Sequence, residues 1–215
     1  MGTIPLAAIR RQLDGAFERQ DLYTGDADLN PGLSALFAQD QRAAAVLILL
    51  VDKPEGMTVL LTKRPQTLRV HAGQISFPGG QKEPQDNGPA ATALRETQEE
   101  IGLDPSLVEV IGYLPEYRTR TGFAVAPVVG FIKPPFTLSP NAAEVERIIE
   151  VPLEHFLNPD NCQVGEKEFS GHTARFYSFE YGGDTIWGAT AGMLRGLREA
   201  LSGGAIPLPK QQLQP

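Results

Sequence analysis

Residues 43–51, Ala-Ala-Ala-Val-Leu-Ile-Leu-Leu-Val, form the longest apolar run in the chain. It falls far short of the roughly 20 residues needed to cross a bilayer, so it reads as a buried strand. The segment 52–56, Asp-Lys-Pro-Glu-Gly, is a turn, and 57–62 reads as a second strand. The two make a hairpin around which the rest must organise. Further strand signals lie at 75–77, 108–114, 123–132 and 148–151. Helical patterns cover 89–101 and 189–201, the second ended by Gly203 and Gly204. Strands and helices alternate rather than separating into halves, which predicts an α/β (α+β) fold with a mixed sheet between helices.

Composition narrows the class. A hydrophobic content of 41% with 21% charged residues is that of a globular chain that folds without a partner. The 215 residues suit one core with extensions. Net charge is −7, from 19 basic and 26 acidic side chains without a dense Lys/Arg block, which disfavours extended nucleic-acid binding. Cys162 is the single cysteine, so neither an intrachain disulfide nor a cysteine-held zinc is available, and a reducing cytoplasm is the expected location. The N-terminal residues read as a short amphipathic helix rather than a signal peptide, and no membrane association is expected. The expected divisions are an N-terminal helical extension at 1–40, a main domain at 41–203 and a frayed tail at 204–215.

The chemistry concentrates at 95–102, Arg-Glu-Thr-Gln-Glu-Glu-Ile-Gly. On a helix, Glu96, Glu99 and Glu100 fall within an arc of roughly 100°, opposite Ala90, Leu94, Thr97 and Ile101. One face would pack and the other bind. Glu96 and Glu100 are like charges at i, i+4, which cost about 0.2–0.5 kcal/mol until a cation sits between them. Hard oxygen donors favour Mg²⁺ or Mn²⁺ over zinc. Taken alone, such a stretch is ordinarily a solvated helix face with Arg95 and Glu99 paired at i, i+4. The preceding Phe77-Pro78-Gly79-Gly80 gives it a different context.

Together these residues resemble the Nudix box, a glycine, five residues, a glutamate, seven residues, then REUxEExGU with U aliphatic. Gly80, Arg95, Glu96, Glu99, Glu100, Gly102 and Leu103 match. Asp86 stands where the first glutamate is usual, eight residues separate it from Arg95, and Thr97 takes an aliphatic position. These departures are similar to those of the coenzyme A pyrophosphatase branch. So is the segment 60–80, LLTKRPQTLRVHAGQISFPGG, in which Pro65 replaces the usual small residue. Segments 121–132 and 186–194 resemble that branch too, and the likeness covers roughly 40–200.

The resemblance implies a Nudix-like α/β/α sandwich and Mg²⁺- or Mn²⁺-dependent cleavage of the diphosphate of coenzyme A or acyl-coenzyme A. It implies metal ligation by Glu96, Glu99 and Glu100, with the carbonyl of Gly79 or Gly80 adding a ligand. Arg95 would orient Glu99. The catalytic base would be Glu96, Glu99 or, from a later loop, Glu144. Arg64, Arg69 and His71 would bind the extra phosphate, with Gly73 and Gly80 allowing close approach. Trp187 reads as core packing at a helix entry or, failing that, as an adenine platform. A homodimer is a family-level expectation. Two other readings stand beside this one: a Nudix enzyme for NADH, ADP-ribose or a nucleoside triphosphate, and a non-catalytic ligand sensor of the same fold.

Overall fold

The computed structural model describes residues 4–17, 24–31, 40–68, 70–169 and 171–202. Arg69 and the expected tail at 204–215 lie outside the described residues, as do Gly203 and Gly204. In chain order the elements are α1 (Leu6–Phe17), β1 (Thr24–Gly25), β2 (Arg42–Lys53), β3 (Gly56–Lys63), β4 (Ile75–Ser76), β5 (Gly79–Gln81) and α2 (Pro89–Ile101). They continue with β6 (Glu109–Tyr113), β7 (Tyr117–Arg118), β8 (Phe123–Ile132), β9 (Arg147–Pro152), α3 (Leu153–Leu157), β10 (Gln163–Phe169), β11 (His172–Tyr181), β12 (Asp184–Trp187) and α4 (Ala189–Leu201).

The apolar run is the spine of the molecule. β2 pairs parallel with β8 from Arg42↔Phe123 to Val51↔Ile132 and antiparallel with β3 from Leu49↔Leu60 to Lys53↔Gly56. From Leu47 to Val51 it is apolar without interruption and buried, because both faces are covered there. Leu47, Leu49 and Val51 pack toward Ala93 and Ile101 of α2. Ile48 and Leu50 pack on the other side with Ile9 and Leu13 of α1 and Leu194, Leu197 and Leu201 of α4. Alternate side chains thus feed two cores, making a helix, sheet, helix sandwich. The main sheet runs β1-β7-β8-β2-β3-β4, with β5 on β2, β6 on β8 and β9 on β3.

A second, three-stranded antiparallel sheet, β10-β11-β12, has no counterpart among the strands expected from sequence. Its first strand, Gln-Val-Gly-Glu-Lys-Glu-Phe, is mostly polar and exposed, so no apolar alternation marks it. Trp187 sits half-buried on this sheet with its ring 5.3 Å from that of Phe176 and the Lys167 ammonium 5.3 Å above it. Its ring thus packs on the face of this sheet and is in neither core cluster, which differs from the expected core packing. Among the described residues no helix is long and apolar enough to cross a membrane.

Candidate active site

The site is assembled from α2, the short strand β5 and the loop 139–146. Helix α2 begins at Pro89, whose missing N–H would be unpaired at that position anyway. It ends where Gly102 adopts a left-handed φ of 67° and returns its N–H to Gln98 O. The last carbonyls of a helix have no partner within it. Here Ser139 N–H donates to Ile101 O at 2.7 Å and Asn141 N–H to Glu100 O at 2.8 Å. The loop that caps the helix therefore also carries Glu144 to the carboxylate face.

Arg95 is the hub. Its Nε and Nη2 donate to the two oxygens of Asp86, each at 3.0 Å, a bidentate fork. Nη1 donates to Glu96 Oε1 at 3.0 Å and Glu99 Oε2 at 3.1 Å, while Nη2 also reaches Gln81 O at 3.1 Å. Asp86 is buried and takes two more donors, the Glu83 N–H at 2.8 Å and the Thr92 hydroxyl at 3.0 Å. The Arg95 bonds and these donors hold the Asp86 carboxyl well below the usual range, and Asp86 in turn raises Arg95 further. Arg95 indeed meets Glu99, but its main partner is Asp86. Sequence alone marks Asp86 as a departure and gives it no role. A signal is nonetheless present: an acid nine positions before the arginine, on the loop that leads into its helix.

The three glutamates do not share one environment. Glu99 is exposed and Glu96 half-buried, but Glu100 is buried beside Ala93 and Thr97, at 6% exposure. This corrects the expectation of a single solvent-facing carboxylate face: Glu100 lies seven residues after Ala93, two turns up the packed stripe. Burial, then Glu144 and Glu96, push its carboxyl up to about 8, eased by Arg64 and the Gly79 amide. One oxygen, Oε2, is buried without a hydrogen-bond partner. Glu96 is likewise raised, chiefly by burial, with Glu99 and Glu144 adding to it and Arg95 opposing.

The double glycine makes this crowding feasible. A Cβ on Gly80 would overlap the Glu96 carboxylate, and one on Gly79, whose φ is 156°, would overlap Ala45 O and Val46. In the β2–β5 ladder Leu47 N–H donates to Pro78 O and Lys82 N–H to Ala43 O. The alternation of an antiparallel pair then commits the Gly80 carbonyl to Ala45 and leaves that of Gly79 off the ladder.

Arg64 joins this group from the end of β3, close enough to Glu100 to favour its charged form, with its Nε buried and unpartnered. The loop after it brings back the chain at Gln74, whose carbonyl accepts from Arg64 N–H at 2.9 Å. His71 and Gly73 belong to that loop and are not drawn into the carboxylate group. His71, exposed and at a positive φ of 57°, bonds Gln74 through Nδ1 at 2.7 Å, and Gly73 (φ 67°) leaves room for the Gln66 side chain. Glu144 accepts from Asn141 Nδ2 at 3.3 Å.

The donor set fits a hard cation. Burial raises the proton affinity of Glu96 and of Glu100, the nearby Glu144 adds to both, and a buried Glu100 oxygen lacks a donor. Among the described residues no three acidic, histidine or cysteine side chains already converge on one point as a finished metal cage, and Glu96 and Glu99 each give an oxygen to Arg95. The carboxylates are gathered, and Arg95 Nη1 bridges Glu96 and Glu99.

The chain is similar to known proteins over most of its length. Residues 41–172 match the model of the NUDIX domain. The Nudix hydrolase NudL of Photorhabdus laumondii is 40% identical over 162 residues, 75% of this chain and 86% of that protein. Nudix hydrolase 22, chloroplastic, of Arabidopsis thaliana is 41% identical over 160 residues, 71% of this chain but only 53% of that protein, so this chain spans about half its length. The crystal structure of a Nudix hydrolase from M. smegmatis, RenU, aligns with a TM-score of 0.49 at 19% identity, over 81% of this chain and 92% of that one.

Proposed function

The chain belongs to the NUDIX family, and from that premise we propose that it hydrolyses the diphosphate of coenzyme A or an acyl derivative, releasing 3′,5′-ADP and the 4′-phosphopantetheine portion. The observation that supports this reading is that Arg64, from the segment that resembles the coenzyme A branch, stands near enough to Glu100 of the box to favour its charged form. Arg64 would thereby bring the upstream segment to the reaction centre. Arg69 lies outside the described residues, and His71 and Gly73 stand on the adjoining loop, so the expected phosphate contacts would come from one stretch of chain.

Glu96, Glu99 and Glu100, with the Gly79 carbonyl, would hold Mg²⁺ or Mn²⁺. The bound ion would neutralise charge on the phosphoryl oxygens and lower the pKa of an attacking water. The side chains divide the remaining work. Glu96, whose proton affinity is raised chiefly by its half-buried position, would be the group to take a proton from water, and Arg95 donates to one of its oxygens. Glu144, brought in by the loop that caps α2, is the alternative acceptor. Arg64 supplies positive charge where a diphosphate would meet an otherwise acidic surface. The single buried Cys162 supports a reducing, cytoplasmic setting as part of the same proposal.

Coenzyme A, NADH, ADP-ribose and dGTP, each incubated with the protein and Mg²⁺ or Mn²⁺, separate the readings by chromatography. Release of 3′,5′-ADP from coenzyme A alone is expected. Cleavage of another member would reduce segment 60–80 to scaffold, and cleavage of none would favour a ligand sensor. A companion variant, Glu99→Gln, should lower turnover by about 100-fold or more. Its pair with Arg95 is exposed and worth only about 0.3–0.5 kcal/mol, so circular dichroism should show an unchanged fold. Near-wild-type rates would remove Glu99 from the reaction.

A further inference from the structure

We infer that Asp184, on the second sheet, is a positioning residue for the active site, acting through a clip on the ends of β3 and β9; this rests on the hydrolase reading above. Asp184 lies on the strand that opens after the Gly182-Gly183 turn, with a side chain only 11% exposed. Its Oδ1 accepts from Lys63 Nζ at 3.0 Å and its Oδ2 pairs with Arg147. Lys63 and Arg147 are cross-strand partners, the last residue of β3 against the first of β9. One carboxylate therefore closes the end of the ladder from outside, and the two cations it holds would otherwise repel each other on adjacent strands.

Both clipped strand ends lead directly into the site. Arg64 succeeds Lys63, and strand alternation turns it to the opposite face, toward α2 and Glu100. On the other strand the ladder runs one bond further, with Glu146 N–H donating to Lys63 O at 2.8 Å, and two residues earlier stands Glu144. The two groups that act on Glu100 from opposite directions, Arg64 and Glu144, thus leave adjacent strands at the point that Asp184 fastens. Helix α4, which follows β12 in the chain, is held to the main sheet at the same place, since the Thr190 hydroxyl donates to Ile75 O at 3.1 Å and Ile75 pairs with Lys63. Asp184 touches no carboxylate of the cluster. Its influence is on where Arg64 and Glu144 stand.

The test is Asp184→Asn, which keeps the shape and removes the charge, with Asp184→Glu as the conservative rescue. Two readouts separate this inference from the hydrolase reading. The first needs no substrate: amide hydrogen exchange at Glu146 and Arg64, which bond Lys63 O and Gln74 O, should speed up at least 10-fold in Asp184→Asn. Exchange within α2 should stay unchanged and Asp184→Glu should restore protection. Unchanged protection at Glu146 and Arg64 overturns the inference whatever the enzyme cleaves. The second is a double-mutant cycle on the substrate found in the panel. Asp184→Asn should lower kcat/KM about 10-fold in the wild-type background but less than about 2-fold once Arg64→Ala is present. Additive losses would mean that Asp184 merely stabilises the fold, and the inference would fail with the hydrolase reading intact. Absence of hydrolysis in the wild type would sink the hydrolase reading, and with it the assignment of Asp184 to a reaction.

Discussion

Replacing Glu100 by glutamine should abolish hydrolysis and, in the absence of divalent cations, make the protein more stable at pH 8. The carboxyl is buried, crowded by Glu144 and Glu96, and pushed up to about 8 from an ordinary 4.5. A folded state with the higher proton affinity holds more protons than the unfolded chain between those two values. Stability is therefore fully present below pH about 4.5 and drains away as pH rises through about 8. Glutamine does not titrate, so the wild type and Glu100→Gln should melt alike at pH 4.5 and diverge as pH climbs, the variant gaining about 2–4 °C for each kcal/mol relieved. Added Mg²⁺ or Mn²⁺ should raise the wild-type melting temperature and leave the variant where it was. Thermal melts at the two pH values, with a chelator and with metal, check every part. A wild type that melts above the variant at pH 8 without metal would show that Glu100 is not held as an unsatisfied carboxylate.

That prediction depends on depth, which sequence does not carry. Periodicity places α2 at residues 89–101 and β8 at 123–132, with the bounds that the fold has, because each has a single strong pattern and a sharp ending. The same periodicity groups Glu100 with Glu96 and Glu99, since a helical wheel gives direction around an axis and not how far the neighbouring loop closes over it. Loop 139–146 does that closing, and its approach is driven by unpaired helix carbonyls that leave no trace in side-chain pattern. β5 escapes for a related reason: Gly79, Gly80 and Gln81 are poor strand formers, and what selects them is the room that Glu96 needs. The β10–β12 sheet opens with a polar, exposed strand that gives no apolar alternation, which hides the sheet and with it the Asp184 clip.

Arg95→Met should be the most destabilising single change at the site. Arginine makes five hydrogen bonds here, to Asp86, Glu96, Glu99 and Gln81, and a methionine of similar length replaces none of them. The critical loss is at Asp86, whose side chain is 4% exposed and keeps only the Glu83 amide and the Thr92 hydroxyl. Breaking a buried pair by removing one partner costs about 3–5 kcal/mol, whereas the exposed Glu99 contact adds less than about 1 kcal/mol. The same bond sets the sign of the pH dependence. Asp86 is depressed in the folded wild type, so its contribution is present above the ordinary carboxylate range and is lost as pH falls below it. The gap in denaturant-derived stability between wild type and Arg95→Met should therefore be widest near neutral pH and shrink as pH falls below about 4. Asp86→Asn in the Arg95→Met background removes the stranded charge and should recover part of the loss without recovering turnover, because Glu96 and Glu99 still lack the group that bridges them. Full recovery of activity in that double variant would contradict the role given to Arg95, and an undiminished gap at low pH would show that the Asp86 bond is not where the stability resides.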